Sequence, residues 1–410
     1  MTVFKSSSVA GLSPIIADGF RPANESSVSE MHRAALQGAS FGLFDTSIQP
    51  LIPAALARHA DLGRGQSRLT LIVPARAAPL DDCRVDDDIF TFLATPDLAA
   101  RLDFDAPPET WCFQMMHSVL AEVRLNVDIA VVHQPEPTAP ASARSADIDV
   151  VIPHRGRQQH LRLCVDSVLR QDSSASIVVA LDQKTGYLDL LKDLRAFPRI
   201  SIVQIEPCPS GPYVARHHLG HAGKGAYLLG QDSDDVSIGS RLASLLAESA
   251  ATGAGIVGSH ELRVHEVDHK VLAVRYPLDA SAGLASAGPG HQVLFPMTVV
   301  RRDVFEAVGG FSTNRVFSLD VNFWLAASFI TSLRNVDEFL YIRRRRAGSL
   351  TMRRDIGSQS PIRQRLRNKR SSDYIAVRDG SMALADSSLA LKHRNTPVDF
   401  RVLKSAKNSV

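Results

Sequence analysis

Apolar residues along this chain fall into short, almost unbroken runs, and amphipathic stretches separate one run from the next. A run of four to six apolar residues bounded by turn formers predicts a strand buried on both faces, the habit of parallel sheets. Residues 69–73, closed by Pro74, fit that description, as do residues 89–93 and 127–132. Between them, residues 107–125 read as a helix, with Trp111, Met115, Val119 and Val123 spaced along one side. The alternation over residues 31–133 predicts a small α/β module. Ahead of it, residues 1–30 are rich in Ser, Pro, Ala and Gly and read as a loosely ordered lead-in.

A Pro/Ala/Ser linker over residues 134–146 has little to bury and marks a boundary. The rhythm then restarts more strongly. Strands are predicted at 148–152, 177–181, 200–203 and 226–230, with helices at 159–171, 188–196 and 213–222. This β-α-β-α-β-α-β order predicts a doubly wound, mostly parallel sheet with ligands at the carboxyl ends of its strands. Polar residues stand at those ends: Pro153, His154 and Arg155 after the first strand, Asp182 after the second, and Gln231-Asp232-Ser233-Asp234-Asp235 after the fourth.

At 410 residues the chain exceeds one ordinary core, so two or three domains are expected. Apolar residues at 45% and charged residues at 22% describe a soluble globular protein. No apolar run reaches the ~20 residues that cross a bilayer. The first residues lack the basic-then-apolar layout of a secretory signal, so the expected location is the cytoplasm. The four cysteines, Cys83, Cys112, Cys164 and Cys208, form no Cys-x-x-Cys pair, which argues against structural zinc.

Net charge is only +3, yet residues 343–370 hold eleven Lys or Arg against one acid, Asp355. Such a run suits a solvated tail, the phosphates of a ligand, or the inner face of an anionic membrane. No aromatic residue interrupts it, so nucleic acid is not an expected partner. Residues 353–410 are expected to form a basic C-terminal extension.

Three carboxylates in Asp232-Ser233-Asp234-Asp235 are costly to crowd together unless a cation offsets their repulsion. An Asp-x-Asp pair at a strand end suits Mn²⁺ or Mg²⁺ that keeps open positions for phosphate oxygens. The plainer reading is that these acids cap a helix starting near Ser237. His260, Glu261, His265 and His269 follow strand spacing with Val264 and Val267, and they read as an exposed strand rather than a metal site.

Taken in order, the motifs resemble the family 2 glycosyltransferases of GT-A fold over residues 147–352. Asp149 to Arg157, with Leu161 and Cys164 to Gln171, is similar to that family's first strand and helix. Val178 to Asp182 is similar to its second strand, whose last aspartate contacts the nucleotide base. Gly211-Pro212-Tyr213-Val214-Ala215-Arg216-His217 matches the segment whose Arg faces the nucleotide. Asp232 and Asp234 match the metal-binding Asp-x-Asp. Val308-Gly309-Gly310-Phe311, followed by Ser318-Leu319-Asp320, resembles the Gly-Gly-Phe element and the motif holding the catalytic base. The family often has Glu where Leu319 stands, Asn where His217 stands, and His where Arg346 stands.

The resemblance implies an inverting transfer of sugar from a nucleoside diphosphate sugar to an acceptor hydroxyl. Asp320 would be the general base, and Asp232 and Asp234 would hold the dication. Pro153, His154, Arg155, Asp182, Arg216, Asp232, Ser233 and Arg346 would line the donor site, with Gly310 on the acceptor side. Each has a plain alternative: Asp182 as a turn residue, Arg216 as a surface arginine, Asp320 as a helix cap. The acceptor stays open among glycan, lipid-linked glycan, small molecule and peptide, and residues 31–133 are the candidate for selecting it. A sugar-nucleotide-binding scaffold without turnover is the second class, motivated by Leu319 and Arg346. A nucleotidylyltransferase is disfavoured because Pro153 to Arg157 holds a single glycine.

Overall fold

The runs marked as buried build two sheets. In the computed structural model of the protein, the described residues are 2–3, 12–16, 24–25, 41–45, 51–60, 67–73, 80, 82–88, 92–103, 105–107, 110–122, 124–133, 147–171, 175–184, 192, 194 and 197–406. The expected linker 134–146 and most of the expected helix 188–196 lie outside them.

Strands β1 (Thr2–Val3), β2 (Leu12–Ile16), β3 (Asn24–Glu25), β4 (Phe41–Asp45), β5 (Ser67–Ile72), β6 (Arg84–Asp88), β7 (Phe92–Ala94) and β8 (Val127–Val132) belong to the first third. Five of them form one sheet in the order β2-β4-β7-β5-β8. This sheet therefore starts inside the stretch expected as a lead-in, because β2 pairs antiparallel with β4.

The second sheet draws on β9 (Ile148–His154), β10 (Ser176–Leu181), β11 (Ile200–Glu206), β12 (Tyr227–Leu229), β13 (Val236–Ser237), β14 (Ile256–His265), β15 (Lys270–Arg275), β16 (Val299–Arg301), β17 (Leu333–Arg345) and β18 (Asp399–Lys404). Its backbone order is β13-β17-β14-β16-β12-β9-β10-β11-β18. Neighbours within β12-β9-β10-β11 are all parallel, as the sequence predicts. Beyond β12, β16 turns the ladder antiparallel, and β14 and β17 then run parallel to each other. Ile148, Val150 and Ile152 on one face of β9 are at most 2% exposed and Val151 on the other is 7% exposed, so its apolar run reflects burial on both faces.

Neither flank stands apart from this sheet. Strand β6 pairs antiparallel with β15. Trp111, Met115 and Val119 of the helix Trp111–Leu120 share one core with Leu262, Val264 and Val271. Fully burying such side chains stabilises by roughly 1.5–3 kcal/mol each, which makes this a packed interface rather than a loose tether. At the other end β18 adds antiparallel to β11, and the helix Pro361–Arg378 folds back over the domain. No helix among the described residues is long and apolar enough to cross a membrane.

Candidate functional site

Strand order reverses direction of growth between β9 and β12, and a doubly wound sheet opens a crevice at that switch point. A cleft of about 920 Å³ lies there. It is lined by Pro153, His154, Arg155, Asp182, Arg216, Asp232, Ser233, Asp234, Asp320 and Arg346, so every candidate residue but one meets in a single space.

Local anchoring explains how β12 delivers its acids. Arg241, wholly buried, donates to the Gly230 carbonyl at 2.8 Å, to Gln231 Oε1 at 2.8 Å and to the Pro296 carbonyl at 2.9 Å. Burial lowers its pKa to about 10, so it remains a cation at neutral pH and clamps the loop before Asp232.

The three acids then take different roles. Asp235 turns inward, where Tyr341 Oη donates to one of its oxygens and the Arg344 N–H to the other, both at 2.9 Å. Asp232 and Asp234 remain at the cleft. Arg216 pairs with Asp232, and Arg346 Nε lies 2.9 Å from Asp234 Oδ2. Burial, offset in part by Arg216, raises the Asp232 carboxyl above the usual range.

Two expected donor contacts are engaged within the protein. Asp182 accepts the Ser210 N–H at 2.6 Å and the Gly211 N–H at 2.8 Å, which fixes the turn into the helix Pro212–Ala222. Gly211 has φ +93°, and an added Cβ would lie 2.6 Å from Val316 Cγ1, so this turn needs glycine. His154 Nδ1 lies 3.1 Å from Ser233 Oγ and joins the ends of β9 and β12. Burial, helped by nearby Arg346, lowers His154 to about 4, so its ring is neutral. Arg216 is 5% exposed, which removes the surface-arginine reading; its guanidinium also stacks 5.2 Å from the Phe295 ring centroid.

Asp320 enters from the opposite wall, in the first turn of the helix Leu319–Ala327. Tyr213 Oη donates to Asp320 Oδ1 at 2.7 Å, and burial pushes this phenol far up, so it stays a donor. Ser318 holds a left-handed φ of 53°, a strained setting for a non-glycine residue just before a candidate base. Leu319 is in the core at 1% exposure.

Gly310 is the exception. It lines a separate cavity of about 490 Å³, and an added Cβ there would meet His221 Nε2 at 2.7 Å and His217 Nδ1 at 2.8 Å. Gly310 thus lies outside the cleft that holds the other candidates, closely packed against the helix Pro212–Ala222. His217 itself packs on His218, His221 and His393, away from the cleft. One correction concerns β14. It is a strand, but His260 and Glu261 are 2% and 0% exposed, because β15 and β17 pair along its edges and the helices Trp111–Leu120 and Arg241–Thr252 pack on it.

Sequence reasoning gave no role to Tyr213 or Tyr341 and noted the arginines of the helix Pro361–Arg378 only as part of the basic run 343–370. Arg363, Arg367 and Arg370 recur at helical spacing and all line the cleft. That i, i+4, i+7 pattern was the available signal.

Among the described residues no three His, Cys, Asp or Glu side chains gather as a ligand set. A hard dication such as Mg²⁺ needs only one or two carboxylates when phosphates and water complete its shell. Asp232 and Asp234 offer that donor set, and in this structure Arg216 and Arg346 meet their charge.

Residues 149–309 match the family described as Glycosyl transferase family 2. No curated protein sequence matches the chain. Among solved structures, TarS 1–349 of S. aureus in complex with UDP-GlcNAc is 18% identical, with 50% of this chain and 60% of that chain covered and a TM-score of 0.42. Mannosyltransferase PcManGT from Pyrobaculum calidifontis, in complex with GDP-Man and Mn²⁺, is 14% identical, with 61% of this chain and 68% of that chain covered and a TM-score of 0.41. The chain thus spans less than two thirds of the TarS fragment.

Proposed function

We propose that the chain, whose residues 149–309 match the glycosyl transferase family 2, moves a sugar from a nucleoside diphosphate sugar to an acceptor hydroxyl with inversion. The observation that carries this reading is one cleft with the donor-type residues on one wall and Asp320 on the other. Asp232 and Asp234 would hold Mn²⁺ or Mg²⁺, which when bound supplies Lewis-acid stabilisation of the departing diphosphate. Arg216 and Arg346 stand against the same carboxylates and are free to turn their N–H donors toward phosphate oxygens.

Asp320 takes the acceptor proton. Tyr213 fixes one carboxylate oxygen through its 2.7 Å hydrogen bond and leaves the other for the acceptor hydroxyl. Neutral His154 joins Ser233 to the first loop and keeps the nucleotide end of the crevice rigid. The module ahead of residue 147 reaches the cleft edge through Cys83 and Val85, which supports a part in choosing the acceptor. Exposed Arg365 and Lys369 on the outer face of the helix Pro361–Arg378 are the residues that would meet an anionic membrane.

A thermal-shift screen of nucleoside diphosphate sugars, with and without Mn²⁺, tests the reading, because a ligand of the native state raises Tm by mass action. One donor that shifts Tm more with Mn²⁺, and whose sugar is released or transferred by the wild type, supports it. If no donor shifts Tm under either condition, the reading fails.

A further inference from the structure

Arginines at the Asp320 end of the cleft differ from those at the Asp232 end in what they touch. Arg370 Nη1 donates to the Ser318 carbonyl at 3.4 Å, and Arg315 reaches the Phe317 and Ser318 carbonyls at 3.0 and 3.3 Å and Asn322 Oδ1 at 3.2 Å. Arg363 donates to the Ile356 and Leu350 carbonyls and stacks 5.0 Å from the Phe317 ring centroid. Arg367 donates to Gln364 Oε1 at 3.2 Å and the Ser358 carbonyl at 3.4 Å. Every one of these acceptors is neutral. Asp320 is the carboxylate that shares this end of the cleft, and it is bonded to Tyr213.

Of these four, Arg363, Arg367 and Arg370 line the cleft with Asp320, so three guanidinium groups meet one carboxylate there and about two positive charges are left uncompensated. Arg370 is only 8% exposed, so part of that surplus is held out of water. Three of the four lie on one helix face, where like charges at i, i+4 cost roughly 0.2–0.5 kcal/mol per pair. The same 18-residue helix begins at the cleft, where Ser358 and Gln359 line it, and its first turn carries no acid. Its N–H groups and dipole therefore add to the positive field.

We propose that this arginine face is a phosphate-binding subsite for the acceptor: the hydroxyl presented to Asp320 belongs to a molecule carrying a phosphate, gripped by Arg363, Arg367 and Arg370. The inference rests on the transferase reading for the word acceptor. Guanidinium forks match phosphate oxygens pairwise, and a neutral acceptor would leave the surplus unrelieved. The phosphate is spectator chemistry. It positions the hydroxyl and takes no part in bond breaking.

Isothermal titration on the full chain tests this with glycerol 3-phosphate, and separately with vesicles containing phosphatidic acid. Glycerol and phosphatidylcholine vesicles serve as neutral controls. Binding of a phosphate-bearing probe at least tenfold tighter than its control is expected, and the probe that binds tells a soluble from a lipid-borne source. The Arg363→Gln/Arg367→Gln variant should lose that preference, while Arg346→Gln keeps it. Exposed Arg367 changed alone to Gln guards against misfolding and should lose at least threefold. Equal binding of phosphate and control overturns the proposal, as does an equal loss in Arg346→Gln. The Arg363→Gln/Arg367→Gln and Arg367→Gln variants are also titrated with UDP and GDP. Nucleotide binding within twofold of wild type is expected, and a large loss would reassign these arginines to the donor. If neither nucleotide nor any other nucleoside diphosphate binds the wild type, the transferase reading fails, and the phosphate probes still decide the subsite.

Discussion

Both ends of the cleft carry several arginines, and they are opposite in how that charge is balanced. At the strand-end wall Arg216 faces Asp232, Arg346 faces Asp234, Arg344 faces Glu266, and Arg263 and Arg343 share Glu261. At the Asp320 wall Arg315, Arg363, Arg367 and Arg370 touch only neutral oxygens. A buried ion pair contributes little to stability when whole but is costly to break from one side. The first wall is thus set by the fold and serves as an exchangeable mount for a charged donor. The second carries a surplus that the fold tolerates.

The largest effect is expected at the shared centre. Asp320→Asn keeps the shape and the Tyr213 neighbour but removes the base. Transfer should fall by about 10²–10⁴-fold, the usual worth of a positioned proton acceptor. Nucleotide affinity should hold, so kcat drops while donor binding by titration does not. Equal loss of both would mean that Asp320 holds the cleft together instead.

Next comes Arg216→Gln. It strips Asp232 of its cation, and urea unfolding should show a loss of about 1–3 kcal/mol. A fully buried broken pair would cost more, but the Asp232 side chain is 38% exposed and water softens the penalty. Unchanged stability would place this wall in the same state as the other and dissolve the contrast.

How much of this was readable in the chain follows from the range of each interaction. The parallel strands were legible because burial on both faces leaves an unbroken apolar run, and their polar ends followed at once in sequence. His154, Asp182, Asp232 and Asp234 were found that way. Inward-turned Asp235 was not, because Tyr341 and Arg344, which hold it, lie more than a hundred residues downstream. The Asp320 wall was hidden for the same reason. Charge counting saw a basic run over residues 343–370, but only the fold shows which of its arginines look inward. Gly310 falls in a separate cavity, a placement its sequence could not reveal because a glycine in close packing has the same spelling as one near a ligand. Strand β6 crossing to the second sheet left no trace in periodicity, since Arg84–Asp88 carries a single apolar residue, Val85.

A smaller effect is expected with pH. His160, on the helix Gln158–Leu169, is 3% exposed, and burial, helped by Arg344 and Arg346, lowers it to about 4. Its two ring nitrogens find no hydrogen-bond partner among the described residues. Buried His59 is likewise lowered to about 4, by burial and then by Arg68. Below the unfolded value of 6.5 the unfolded chain takes up protons that the folded chain refuses. Stability is therefore full above about pH 6.5 and is lost as pH falls toward about 4. In His160→Leu, Tm should decline less over that window than in wild type. An identical decline would show that the ring is protonated in the native state.

The smallest change sharpens the contrast most. Arg367→Gln removes one of two like charges at i, i+4 with Arg363, and no carboxylate among the described residues pairs with either. Relief of that repulsion stabilises the helix by roughly 0.2–0.5 kcal/mol, so the variant should match or slightly exceed wild type in urea. Arg216→Gln moves the other way by several times as much. The ordering should persist at low ionic strength and narrow in salt, because Arg367 is exposed and screened while Arg216 is not. Added sodium phosphate should then stabilise wild type more than Arg367→Gln at matched ionic strength. If Arg367→Gln instead destabilises as Arg216→Gln does, the second wall is already compensated within the fold, and its charge awaits nothing.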